Sequence, residues 1–289
     1  MRWIESIQSA LDYIEEHLLD DLTIEGIAKQ ANASAFHFQR TFAILTDSTV
    51  GDYVRRRRLT LAAQEISCTN EKVIDLACKY GYDTPEAFSK AFRRQHGVSP
   101  SEARKYMGKL KFYERLVIQV TLKGAKPMKY KILERDSFQL IGIKREFSLV
   151  NEENLIEIPR LWEQVNADGT SDKLGKLNNG EIAGLLGVCV DKRELDKNET
   201  MDYWIAAEYA GTVPEPFLPL TIPASKWVAF EVHGPMPAAI QKAWKQIFSE
   251  WFPTSGYEHA GLPELEVYPN EDAHNQDYYS EIWIPIKRS

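Results

Sequence analysis

Two short stretches of this chain carry side chains suited to reading the edges of base pairs. In the first, Gln39 and Arg40 sit between Phe38 and Phe42. A glutamine amide pairs bidentately with adenine and a guanidinium with guanine, while Arg40 or the neighbouring His37 can instead take a phosphate. In the second, Glu86, Ser89, Lys90 and Arg93 are interleaved with Phe88 and Phe92. Lys90 suits a guanine edge, and the Glu86 carboxylate can accept from cytosine N4. Helical periodicity turns each phenylalanine pair inward as an anchor and leaves the polar set on the opposite side. Ser34, Phe36 and His37 join Gln39 and Arg40 in the opening turns of the first such helix, the part that enters a major groove.

These side chains need a helix, a tight turn and a second helix to hold them. That unit is written twice, over 27–42 and over 76–92. Ser34 and Thr84 are N-cap residues, and Pro85 follows at the first helical position, where a missing N–H costs nothing. Further helices are expected around them. One opens the chain with Ile4, Ile7, Leu11, Ile14 and Leu18 at helical spacing; a long one capped by Thr49 links the two units; a last one starts at Ser99-Pro100 and ends near Tyr106. Arg55-Arg56-Arg57-Arg58 lies on the linking helix. Arg55 is assigned to phosphate, with others of the four pairing to carboxylates. Tandem helix-turn-helix units would reach two successive major-groove segments of double-stranded DNA.

The net charge of −7 at first opposes a nucleic-acid partner. By region the opposition disappears. Residues 1–107 carry 14 basic and 15 acidic side chains, 108–127 carry 5 and 1, and 128–289 carry 16 and 26. The acidity belongs to the last part, and a local basic face governs phosphate binding more than net charge does. No apolar run approaches the length of a membrane helix, and the amphipathic, acidic start lacks the marks of a signal peptide, so no membrane partner and a cytoplasmic location are expected. Cys68, Cys78 and Cys189 have no metal-ligand spacing and are expected as small buried residues. Neither cofactor nor metal is expected, and no Gly-rich phosphate loop, Gly-x-Ser-x-Gly or metal-spaced histidine pair speaks for an enzyme. His233, His259 and His274 are read as dispersed and solvent-exposed.

Residues 108–127 read as a basic linker able to pack on either side, with 116–120 as a short strand candidate. Beyond Met128 the period shifts towards two. Strands are expected at 130–132, 138–142, 182–188, 203–207, 227–232, 264–268 and 281–286, with helices at 156–165 and 238–252 between them. The order gives two similar strand-helix-strand-strand halves in an α+β domain. Its notable chemistry is acid among aromatics. Glu281 and Trp283 share one side of a strand; Trp204 and Glu208 share one side of another, with Tyr203 opposite. With Trp162, these six are the candidate effector contacts, because a carboxylate walled by rings suits a lipophilic cation through ion pairing and cation–π attraction.

The first part resembles the AraC/XylS class of transcription activators over residues 1–107, most specifically from Gly81 to Pro100. The resemblance implies seven helices, two helix-turn-helix units joined by a long helix, and monomeric or dimeric binding upstream of promoters; RNA polymerase is expected as a further partner. Phe36, Pro85 and Glu86 depart from the Trp and Gln common in the stress-response branch, which bears on the target sequence rather than on DNA binding. The last part, 128–289, resembles GyrI-like domains through Lys129 to Arg135, Leu265 to Pro269 and Tyr279 to Ile286. That resemblance implies small-molecule sensing, with Glu281 as the strand carboxylate used for drug binding. The reading is a DNA-binding activator that senses a small lipophilic cation. The alternatives are an acidic domain that binds a protein partner and, less favoured, a GyrI-like hydrolase using Glu281.

Overall fold

The structure, a computed structural model, describes residues 2–105, 109–118, 128–148, 153–191, 200–269, 273 and 275–288. The chain divides into two compact units, a helical one over Ile4–Val120 and a sheet unit over Thr121–Ser289 with Met1–Trp3.

The helical unit contains α1 (Arg2–Glu16), α2 (Ile24–Gln30), α3 (Ala35–Thr46), α4 (Val50–Cys68), α5 (Val73–Lys79), α6 (Pro85–His96) and α7 (Pro100–Ala103). Local chemistry sets the helix starts. Thr23, Ser34, Thr49, Thr84 and Ser99 each accept a hydrogen bond from a backbone N–H of the first turn, and Ser99 with Glu102 closes a reciprocal capping box. The anchors behave as their spacing predicts: Phe38, Phe42, Phe88 and Phe92 are all buried. Phe88 and Phe92 join Leu59, Ala62, Ile66 and Leu76 in a core that ties the second helix-turn-helix unit to α4. The last helix is shorter than expected, ending at Ala103, and Tyr106 lies outside the described residues.

The basic segment after α7 is a strap on this unit. The Tyr113 N–H donates to Thr60 Oγ1 at 3.0 Å, Arg57 Nη1 donates to the Tyr113 carbonyl at 2.6 Å, and the Leu116 N–H donates to the Tyr53 hydroxyl at 3.1 Å. Backbone groups of Tyr113 and Leu116 are thus satisfied by α4 side chains. Residues 116–118 form no strand, and 119–120 of that expectation lie outside the described residues.

The sheet unit contains β1 (Tyr130–Arg135), β2 (Phe138–Ser148), α8 (Glu153–Ala167), α9 (Thr170–Leu177), β3 (Leu185–Asp191), β4 (Thr200–Glu208), β5 (Leu218–Ile222), β6 (Ser225–His233), α10 (Ala238–Gln246), a wide helical turn at Ile247–Trp251, α11 (Phe252–Ser255), β7 (Tyr257–His259), β8 (Glu264–Tyr268) and β9 (Tyr279–Arg288). One antiparallel sheet runs in the order β1-β6-β9-β8-β3-β4-β2-β5, with β7 added to β9. The sequence reading missed β5, β7 and α9, and it began the third strand too early: Ile182–Gly184 lie before β3.

Directly paired residues of an antiparallel ladder share a side. Register therefore sorts every strand side chain. Trp283 pairs with Leu265 and Ala229, Leu265 with Val188, and Val188 with Trp204. This inner side holds an apolar cluster centred on Trp204, Trp227 and Trp283. The sheet curls around it, because Arg135 on β1 reaches Glu208 on β4, with four strands between them in the order. On the outer side, Trp251 stacks edge-on against Phe230, and α8 and α10 bring Trp162 and Trp244 onto the sheet.

Candidate functional site

In the first helix-turn-helix unit, the Ser34 hydroxyl is buried and accepts from the His37 N–H at 3.0 Å. Its geometry makes it a cap instead of a DNA contact. Phe36 and His37 lie in the first turn of α3, directly after the Ser34 cap. Gln39 and Arg40 are half-buried. In the second unit Glu86, Lys90 and Arg93 are exposed and Ser89 half-exposed along α6. Arg93 also lies 3.7 Å from Glu102, both well solvated.

The arginine run on α4 divides by role. Arg57 forks onto Glu15, donating at 2.9 and 2.8 Å, and Tyr53 donates to the same carboxylate. Burial pushes the Glu15 carboxyl up, but Arg57 and Tyr53 more than offset it and hold the group below the ordinary range. Arg58 donates to the carbonyls of Leu18 and Asp20 at 2.6 and 2.9 Å. Both are structural ties between α4 and the α1 region. Arg56 stacks over Tyr113 at 5.0 Å. Arg55 is exposed and pairs with Asp52, which keeps it on the solvent side of the helix.

The six candidate effector contacts fall on two sides of the sheet. Glu281, Trp283, Trp204 and Glu208 are on the inner side; Tyr203 and Trp162 meet on the outer side, with Trp162 Nε1 donating to the Tyr203 hydroxyl at 2.9 Å. The structure does not bring the six into one pocket. A strand shows which of its own residues share a side, but only inter-strand register shows which sides coincide.

Both inner carboxylates meet basic side chains. Glu208 accepts from Arg135 at 2.8 and 3.1 Å and from the Ile182 N–H at 2.8 Å. Burial raises its pKa, yet these donors outweigh that and hold it below the ordinary range. Glu281 accepts from Trp283 Nε1 at 2.5 Å, from the Tyr279 hydroxyl, and from Lys131 Nζ at 3.2 Å. Its pKa is likewise lowered against burial by these three partners. Lys131 Nζ also sits 5.6 Å over the Trp283 ring.

On the outer side a second carboxylate stands among rings, and the sequence reading passed it over. Glu266 on β8 accepts from Trp244 Nε1 at 2.8 Å and from the Tyr268 hydroxyl at 2.9 Å. The Tyr268 ring lies 5.3 Å from Trp162, which in turn holds Tyr203. Gly187 on β3 makes room beneath. A Cβ there would meet the Tyr203 hydroxyl oxygen at 2.3 Å and Glu266 Oε2 at 3.5 Å. Strands β3, β4 and β8 thus form a floor, with an indole from α8 and another from α10. The available signal was the alternation in Glu264-Leu265-Glu266-Val267-Tyr268, which sets Glu266 and Tyr268 on one side.

Two sequence expectations outside these sites are also corrected. Cys68 and Cys78 are exposed and Cys189 half-buried, all as free thiols, because Cys68 ends α4 and Cys78 lies on the outer side of α5. His259 is not a lone loop histidine but lies 3.2 Å from Glu264 within the sheet unit, while His233 is exposed and His274 lies outside the described residues. Among the described residues, no helix is long and apolar enough to cross a membrane.

Comparison with known proteins agrees with this architecture. The family model described as integron-associated effector binding protein matches residues 131–286, and a helix-turn-helix domain model matches 27–106. The regulatory protein SoxS of Escherichia coli K12 is 41% identical over 98 residues, covering 34% of this chain and 92% of SoxS. The right origin-binding protein of the same strain is 24% identical over 293 residues, covering 98% of both chains. A solved structure of SAV2435 bound to tetraphenylphosphonium superposes with a TM-score of 0.50 at 26% identity, over 55% of this chain and 94% of that one. With the effector-binding model spanning more than half of the sequence behind an AraC-type helix-turn-helix domain, the chain belongs to the integron-associated effector-binding family, as a DNA-binding transcription regulator.

Proposed function

We propose that the outer cluster of Glu266, Trp162, Tyr203, Trp244 and Tyr268 is the effector site and that its effector is a lipophilic cation. The juxtaposition of one carboxylate with four contiguous aromatic side chains carries this reading. Each ring facing a desolvated cation contributes roughly 0.5–2 kcal/mol, and the carboxylate supplies the opposite charge. The tetraphenylphosphonium in the SAV2435 structure is a ligand of that chemistry in a protein of similar fold. The test is titration of tetraphenylphosphonium against Trp fluorescence in wild type, Glu266→Gln and Glu281→Gln. Loss of binding in Glu266→Gln alone supports the outer site. Loss in Glu281→Gln alone returns the site to the inner side.

The regulator acts as an activator at promoter DNA in the cytoplasm. Gln39 and Arg40 on α3 and Glu86, Ser89, Lys90 and Arg93 on α6 face the bases and phosphates, Arg55 takes a phosphate, and RNA polymerase is the partner recruited. Selection of bound DNA from a random pool yields the operator. On that operator, the double substitution Arg40→Ala, Lys90→Ala weakens binding by about 2–6 kcal/mol if each makes a base contact. Unchanged affinity overturns the assignment.

A further inference from the structure

Tyr53, Arg57 and Thr60 stand at helical spacing along one face of α4, and each holds the strap at one point and a helix at another. Tyr53 and Arg57 join the strap to Glu15 on α1, where Arg115 of the strap also pairs with Asp12. Thr60 joins it to α6. Its hydroxyl donates to the Arg56 carbonyl at 2.8 Å and accepts from the Tyr113 N–H at 3.0 Å and from Gln95 Nε2 at 3.2 Å.

Thr60 is buried, and this arrangement uses its only proton and both lone pairs. Gln95 Nε2 also reaches the Lys111 carbonyl at 3.5 Å, so α4 and the strap grip the last turn of α6 together. The strap adds two apolar contacts at the same end. Leu110 packs against the core that contains Phe88 and Phe92, and the Phe112 ring stands edge-on to His96, 6.2 Å away. His96, the final residue of α6, donates from Nε2 to the Leu59 carbonyl at 3.1 Å. At about 100° per residue, Gln95 lies roughly 140–200° around α6 from Glu86, Lys90 and Arg93, so the grip is on the back of the helix and leaves the outward row free. The helix-turn-helix model ends at residue 106, before the first of these strap contacts.

We infer that strap residues 110–116 are a working part of the DNA-binding machinery, and that Thr60 and Gln95 are positioning residues that fix the second recognition helix through them. This rests on the reading that α6 faces the bases. When the strap leaves, α6 loses the Leu110 and Phe112 contacts, and Gln95 loses the Lys111 carbonyl. Its last turn is then held by α4 alone. A recognition helix held that loosely must be ordered as it docks, which weakens affinity without removing any DNA contact.

The test is amide hydrogen exchange of the full-length chain together with operator affinity, in wild type, Thr60→Val, Thr60→Ser and the strap double variant Leu110→Ala, Phe112→Ala. Thr60→Val strips the junction and leaves the Tyr113 N–H without its acceptor, while the strap variant alters no helix. Both should raise exchange about tenfold or more in the C-terminal half of α6 and weaken operator binding by a similar factor. The loss should fall on the half of the operator read by α6, with exchange in α3 unchanged. Thr60→Ser keeps the hydroxyl and should stay within about threefold of wild type. Exchange is measured without DNA, so a failure of the base-reading assignment, seen as unchanged binding in Arg40→Ala, Lys90→Ala, is distinct from a failure here. Exchange in α6 equal to wild type in the strap variant overturns the proposal. So does an equal loss on both operator halves with a lowered unfolding midpoint in both variants, since the strap would then support the whole helical unit and not α6.

Discussion

Glu266 and Glu281 lie on neighbouring strands, β8 and β9, yet they face opposite sides of one sheet. Glu281 is met by an ammonium, an indole and a phenol of its own chain. Glu266 is met by an indole and a phenol, in a cluster continuing through Trp162 to Tyr203. The two have similar sequence surroundings, an acid near a tyrosine and other large side chains. What differs is what the opposing element delivers. Strand β1 brings Lys131 to the inner carboxylate, while α8 and α10 bring tryptophans to the outer one. The inner carboxylate ties a strand lysine to two ring donors; the outer one stands in an aromatic wall between sheet and helices.

The largest expected effect tests the inner side. Arg135→Ala leaves the buried Glu208 carboxylate without its guanidinium, and about 3–5 kcal/mol of stability should be lost, read by denaturant unfolding at neutral pH. Glu208 has its folded pKa depressed below the ordinary 4.5. The stability it contributes in wild type is therefore complete above that value and lost as the pH falls through the lower folded value. In Arg135→Ala the unpaired carboxylate is protonated more readily, so the gap between the variants should narrow in acid. A gap independent of pH would mean that lost packing, not charge, explains the defect.

Next comes the outer side. Glu266→Gln should weaken tetraphenylphosphonium binding by about 1.4–3 kcal/mol, ten- to a hundredfold, with little change in unfolding midpoint. If stability falls instead and affinity holds, the roles of the two sides are reversed. Glu281→Gln should do the converse, costing about 1–3 kcal/mol of stability and leaving cation affinity within about twofold. The smallest effect belongs to Lys131→Ala. Its ammonium is well exposed, so no more than about 1 kcal/mol of stability is at stake. If that variant gains tetraphenylphosphonium affinity, the inner side is a second cation site that Lys131 occupies.

The two helix-turn-helix units show how legible the first part was. Caps at Ser34, Thr49, Thr84 and Ser99, and phenylalanine anchors at spacing four, are local facts, and each appears in the fold where the chain places it. The outward row on α6 was equally readable. The arginine run shows the boundary. Four identical side chains in a row received four different settings, and nothing local distinguishes Arg57, forked onto Glu15, from Arg55, turned to solvent.

The sequence by itself determined where helices begin, which phenylalanines anchor them, where the period changes from helical to alternating, and which residues of one strand share a side. Those properties arise from neighbours along the chain, through capping hydrogen bonds and side-chain periodicity. Only the tertiary structure decided which carboxylate meets a lysine and which meets tryptophans. That outcome depends on register between strands far apart in sequence and on which side of the sheet the helices cover.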